Sequence, residues 1–213
     1  MNWNEIFTPD NLYNIGVGIG TILFTAWLTV KTLLKQLKTN EENSKGEVAK
    51  TIKKQSVTDA EIMQEAERLK EMMGADRIQV YEFHNGMHYA NGRSALKTTC
   101  TYEACRYGVN SCINILSGLP LSCIPNFIKK LLNDGEMYIK DLEEIKESMP
   151  STYSFKKSMG ISSFYDVVIT NQNNEPIGFV AVQFCDGKEH KVNKNAVKKF
   201  AWYIENKLFE HVK

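Results

Sequence analysis

The sequence predicts an α+β fold: an antiparallel, hairpin-rich sheet covered by N- and C-terminal helices, preceded by one transmembrane helix. Three observations predict it. Residues 11–30, NLYNIGVGIGTILFTAWLTV, carry no charged side chain. Two apolar, β-rich runs, ISSFYDVVIT and EPIGFVAVQF, flank the polar turn Asn171–Asn174. Apolar residues recur at helical spacing on either side of the sheet-forming region, from Ile62 to Met73 and from Val197 to Leu208.

The N-terminal run comes first. Twenty helical residues span about 30 Å, the thickness of a hydrocarbon core. The run is apolar all round, unlike a surface helix. No Lys or Arg precedes it, so the basic start of a signal peptide is missing. Lys31, Lys35, Lys38, Lys45 and Lys50 follow it. The positive-inside rule then places residues 1–10 outside the inner membrane and residues 31–213 in the cytoplasm. Gly16 and Gly20 form a GxxxG pair, a stripe through which two spans approach closely, so the lipid bilayer and a second copy are the expected partners here. Residues 31–56 read as a juxtamembrane helix and linker, with a break expected at TNEENSKG (39–46).

Residues 57–213 read as one domain. Thr58 and Glu61 have the capping-box spacing for a helix that runs to Gly74. Ile78–Phe83 reads as a strand, residues 85–92 with two Asn-Gly pairs as a loop, and Arg93–Glu103 as a second strand. Ser122 is the expected cap of a helix with Pro125 in its first turn. A short strand at 136–140 and helical segments near 141–149 and 151–158 lead into the hairpin and the closing helix. The hairpin strands are apolar on both faces, which predicts a central position. Gly178 predicts close approach by a helix or ligand.

A net charge of +1 gives no argument for nucleic-acid binding. The five cysteines, Cys100, Cys105, Cys112, Cys123 and Cys185, do not have the spacing of a zinc site or a secreted disulfide framework. His84 and His88 would align only on a helix, which Asn85-Gly86 disfavours, so no metal site is expected. No phosphate loop or nucleophile elbow is present, and no catalytic residue is assigned.

The segment from Met159 to Phe184, MGISSFYDVVITNQNNEPIGFVAVQF, with its Ile177-Gly178 pair, resembles the final hairpin of a GAF domain. The resemblance covers about residues 57–213 and implies a sensory module that binds a small molecule over one sheet face or dimerises through its terminal helices. The Cys-His pair of tetrapyrrole-binding members is absent, as is the residue set of cyclic-nucleotide binders, so the ligand stays unknown. The ligand-facing residues expected from the strand pattern are Tyr81, Phe83, His84, Tyr102, Glu103 and Tyr165, under cover from residues 84–124 and the helix beyond. Some GAF-fold proteins reduce free methionine sulfoxide with cysteines, but the spacing here does not match. The chain's layout also resembles the T-even-phage type of holin, a membrane-permeabilising protein with one N-terminal span. That family holds its soluble domain outside the inner membrane, and the lysines here predict the reverse. The reading is therefore a membrane-anchored, GAF-like sensory or interaction module with no catalytic output domain, with a holin as the alternative.

Overall fold

In the computed structural model, the backbone of residues 9–209 and the side chains of residues 25–38 and 47–208 are described. The chain divides into two compact units, Met1–Gln55 and Ser56–Lys213.

The described backbone of the first unit is helical. Helix α1 runs from Pro9 to Met73 and so continues into the second unit. The expected break at 39–46 does not occur. That stretch holds no proline, and a single glycine costs a long helix only about 1 kcal/mol. Thr58 and Glu61 accordingly lie inside the helix rather than at its start. The expected residues 11–24 of the span, with Gly16 and Gly20, lie outside the described side chains, as does the N-terminal flank. Among the described residues no helix is long and apolar enough to cross a membrane. On the described part, Trp27, Val30, Leu33, Leu34 and Leu37 are all exposed.

The second unit is built on one antiparallel sheet. Its strands are β1 (Arg77–His88), β2 (Ser94–Cys105), β3 (Leu119–Pro120), β4 (Glu136–Ile139), β5 (Ser163–Thr170) and β6 (Pro176–Phe184), in the order β3-β2-β1-β6-β5-β4. Helices α2 (Pro125–Asp134), α3 (Pro150–Ser158) and α4 (Lys194–Phe209) complete it.

Strand alternation sorts the core into two layers. On one face, Ile62, Ala66, Leu69 and Met73 of α1 and Val197, Phe200, Ala201 and Ile204 of α4 pack on Val80, Val167, Val180 and Val182. On the other, Phe127, Ile128 and Leu131 of α2, with Leu116, Ile145 and Met149, pack on Tyr81, Phe164, Phe179 and Ala181. The terminal helices thus share one face, and the irregular middle of the chain covers the other. Strand β6 sits beside β1 in the middle of the sheet, whereas β5 is one strand from the edge. The hairpin turn is tied by Asn171, whose side-chain oxygen accepts from the backbone of Asn173 and Glu175 at 2.9 Å each.

Three local expectations change. Gly178 is needed because a Cβ there would lie 2.0 Å from the Tyr81 carbonyl oxygen. The close neighbour is therefore strand β1, not a helix or ligand. Ser122 falls in a 3-10 turn, and α2 starts after Ile124 without a side-chain cap, its first position filled by Pro125. The first Asn-Gly pair does not end β1. The strand continues to His88, with a register shift between Asn85 and His88 that absorbs Gly86. The second pair makes the turn: Gly92 has φ +80°, and its N–H bonds the Tyr89 carbonyl at 2.9 Å.

Candidate functional site

The face of β1 turned away from the terminal helices carries Arg77, Gln79, Tyr81 and Phe83. Period-two alternation aligns these four with Gln183 and Phe179 on β6. Polar groups at one end form a continuous ladder. The Arg77 guanidinium is buried and donates to the Asn110 carbonyl at 3.1 Å, the Met159 carbonyl at 2.9 Å and Gln183 Oε1 at 3.2 Å. Gln183 donates to Gln79 Oε1 at 2.5 Å, and the Tyr81 hydroxyl donates to the same oxygen at 2.9 Å. Gln79 donates on to Glu103 at 2.6 Å. Glu103 also accepts from the Ser111 hydroxyl and from the backbone of Cys112 at 3.1 Å and Ile113 at 3.3 Å. Burial pushes the Glu103 carboxyl up, but these donors outweigh it and hold it below the usual carboxylate range. Burial pushes the Tyr81 hydroxyl well up, which keeps it protonated and donating.

Beyond the ladder the face is aromatic. The Tyr81 ring stacks on Phe179 at 4.3 Å, and Phe127 meets Phe179 and Phe164 edge-on at 5.8 and 6.3 Å. Lys156 reaches in from α3. Its ammonium lies 3.0 Å from Asp166 Oδ2 and 3.7 Å from the centre of the Phe164 ring. Both members of this ion pair are buried. Asp166 Oδ1 has no hydrogen-bond partner among the described residues. Burial raises the Asp166 carboxyl despite the pull of Lys156. These rings and Lys156 pack directly against one another over this face.

Of the six expected ligand-facing residues, the structure brings together Tyr81, Phe83 and Glu103. The other three lie elsewhere. Tyr102 pairs with Val80 across the β1–β2 ladder and so faces the terminal helices, where its hydroxyl bonds Asp59 at 2.7 Å. Tyr165 shares that helix face with Val167 and bonds Glu136 at 2.8 Å. Contacts with Lys198, Lys194 and Tyr165 lower the Glu136 carboxyl to about 2. His84 follows Phe83 and bonds Thr99 Oγ1 at 2.8 Å in an exposed position. Tyr102 and Glu103 are adjacent in one strand and cannot share a face, a constraint already legible in the alternation. Sequence reasoning missed Gln79, Gln183, Lys156 and Asp166 as a buried polar set. For Gln79, Asp166 and Gln183 the signal was a polar residue interrupting an apolar run; Lys156, in the polar stretch PSTYSFKKS, carried none.

All five cysteines are free. Burial pushes Cys100 and Cys112 up and Cys105 up to about 12, the opposite of an activated thiolate. Among the described residues no group of three or more His, Cys, Asp or Glu is placed to hold a metal ion.

A concavity of about 820 Å³ lies on the outer side of the helix layer, between α1 and α4. Leu69, Met72, Phe200, Trp202 and Tyr203 line it, with Glu65, Arg68 and Lys199 at hand. Met72 is 57% exposed and Trp202 67%.

No protein-family model matches the chain, and no curated protein matches it. Solved structures do. The phycocyanobilin-bound GAF domain of a cyanobacterial phytochrome is 16% identical, with a TM-score of 0.52 over 78% of this chain and 94% of that one. The blue-light absorbing form of the Thermosynechococcus elongatus PixJ GAF domain is 11% identical, with a TM-score of 0.53 over 74% and 90%. A GAF domain of Synechocystis in its photoproduct state is 10% identical, with a TM-score of 0.53 over 73% and 99%. At these identities the likeness bears on fold: the chain carries a GAF-like α+β domain, an antiparallel six-stranded sheet with helices.

Proposed function

We propose that this protein is a membrane-anchored, GAF-like sensory module whose output is contact between copies of itself, made through the α1–α4 groove. The observation that carries this reading is the groove itself. It presents Met72 and Trp202 to solvent, and an exposed aromatic beside an apolar cleft is the kind of anchor that dominates protein interfaces. The exposed apolar residues of the first unit, Trp27, Val30, Leu34 and Leu37, recur at steps of three and four, the spacing of a helix–helix seam. Anchoring rests on the uncharged run 11–30, and the lysines that follow it favour a cytoplasmic domain. The close packing of Tyr81 on Phe179 supports interaction rather than storage of a large ligand, and the raised thiols of Cys100, Cys105 and Cys112 argue against thiolate chemistry at those positions.

Sedimentation of the full chain in detergent, over a concentration series, tests this. Trp202→Glu places a charge in the groove without touching the core. It is expected to weaken self-association at least ~10-fold while the thermal melt stays unchanged. Equal association in Trp202→Glu, Met72→Glu and the parent would remove the groove from the interface.

A further inference from the structure

The β1–β2 hairpin outgrows the sheet. Pairing of β1 with β6 ends at Glu82↔Gly178, because β6 begins at Pro176, which has no N–H to give. From Phe83 to His88, β1 pairs only with β2. Its other edge, on the side that β6 vacates, presents alternating backbone N–H and C=O groups. Residues 84–93 are exposed.

Two features say what would pair there. Between Glu82 and Glu103 the sequence holds no carboxylate, while Arg93, Lys97, His84 and His88 all lie on this ribbon. Arg93 is exposed, with its guanidinium over the Tyr89 ring at 4.8 Å. Met87 and Leu96 are 79% and 51% exposed; Leu96, opposite Asn85, extends the apolar face of Phe83 past the covered sheet, and Met87 lies in the bulge beside it. Natural proteins blunt such edges with covering elements, prolines, charges or bulges; here the bulge between Asn85 and His88 interrupts β1, and residues 83–85 stay in regular register.

The geometry points to a docking edge for an extended, acidic peptide segment of a partner protein, which adds a strand to β1 at residues 83–88. Backbone pairing holds it, alternate apolar side chains extend the face that carries Phe83 and Leu96, and carboxylates on the other face meet Arg93 and Lys97. A bilayer is the poorer fit, since hydrocarbon leaves the open backbone edge unpaired. This edge is separate from the α1–α4 groove and does not depend on it.

Hydrogen exchange of the full chain in neutral detergent tests the assignment. The probes are a ten-residue peptide of alternating Glu and Val, its Lys/Val counterpart, and phosphatidylserine vesicles. The Glu/Val peptide is expected to slow amide exchange at residues 83–88 at least ~10-fold, and the Lys/Val peptide to leave it unchanged. Arg93→Glu combined with Lys97→Glu, both at exposed or half-buried sites, is expected to weaken the Glu/Val peptide at least ~10-fold. No protection by the Glu/Val peptide, equal protection by both peptides, or protection by vesicles alone would each overturn the proposal.

Discussion

Val180→Asp is expected to leave the domain unfolded at room temperature. Val180 has no solvent exposure and lies on β6, opposite Val80 of β1 on one side and Val167 of β5 on the other. Helices α1 and α4 seal the face it occupies. The buried side chains packed around it are hydrophobic, so the new group must stay desolvated or unfold the strand. The cost exceeds about 4 kcal/mol, against a typical total stability of about 5–15 kcal/mol. Val180→Ala is the control. It removes two methyl groups, costs about 2 kcal/mol and should fold. Thermal unfolding followed by circular dichroism reads both. A Val180→Asp chain as heat-stable as the parent would deny β6 its buried central position.

Lys156→Met carries the second large effect. It strips the Asp166 carboxylate of its ion-pair partner inside a buried aromatic layer. Removing one member of a buried pair typically costs about 3–5 kcal/mol. Adding Asp166→Leu to the same chain removes the stranded charge, and the double variant should recover to within about 1–2 kcal/mol of the parent. The pH dependence gives an internal check. Burial raises the Asp166 carboxyl in the folded state, so its protonated form favours folding. That contribution is fully present below the unfolded carboxyl value and is lost as pH rises through the folded one. The deficit of Lys156→Met should therefore shrink as pH falls from neutral toward about 4. Denaturant titration at both pH values measures it. A deficit that is the same at both, or a double variant no more stable than the single one, would mean that the pair is not the buried unit described.

Much of this fold was legible because strong local signals agree with it. The 171–174 turn and its flanking runs give β5 and β6, and the apolar steps at Ile62–Met73 and Val197–Ile204 give the two helices on one face. Boundaries were less legible where local chemistry permits two outcomes. Asn85-Gly86 fits a turn or a bulge, and only the pairing with β2 selects the bulge. The 39–46 stretch fits a linker or a solvated helix. The candidate site was half legible. Alternation along β1 puts Tyr81 and Phe83 on the face away from the terminal helices, as the structure does, and the same rule separates Tyr102 from Glu103. What the rule does not give is which long-range polar partners meet. The ladder from Arg77 to Glu103 joins β1, β2 and β6, and Lys156 finds Asp166 from another element. Those contacts depend on strand order and register, which one chain's spacing does not encode.

The central claim, a GAF-like module anchored in the inner membrane with its domain in the cytoplasm, is tested most directly by a tag at the C-terminus of the full chain. External protease is applied to cells with the outer barrier opened and the inner membrane intact. The account predicts a membrane-bound tag that resists the protease until the inner membrane is breached. Cleavage while the inner membrane is intact would contradict it, placing the domain outside as the holin layout requires, and a tag recovered in the soluble fraction would remove the anchor.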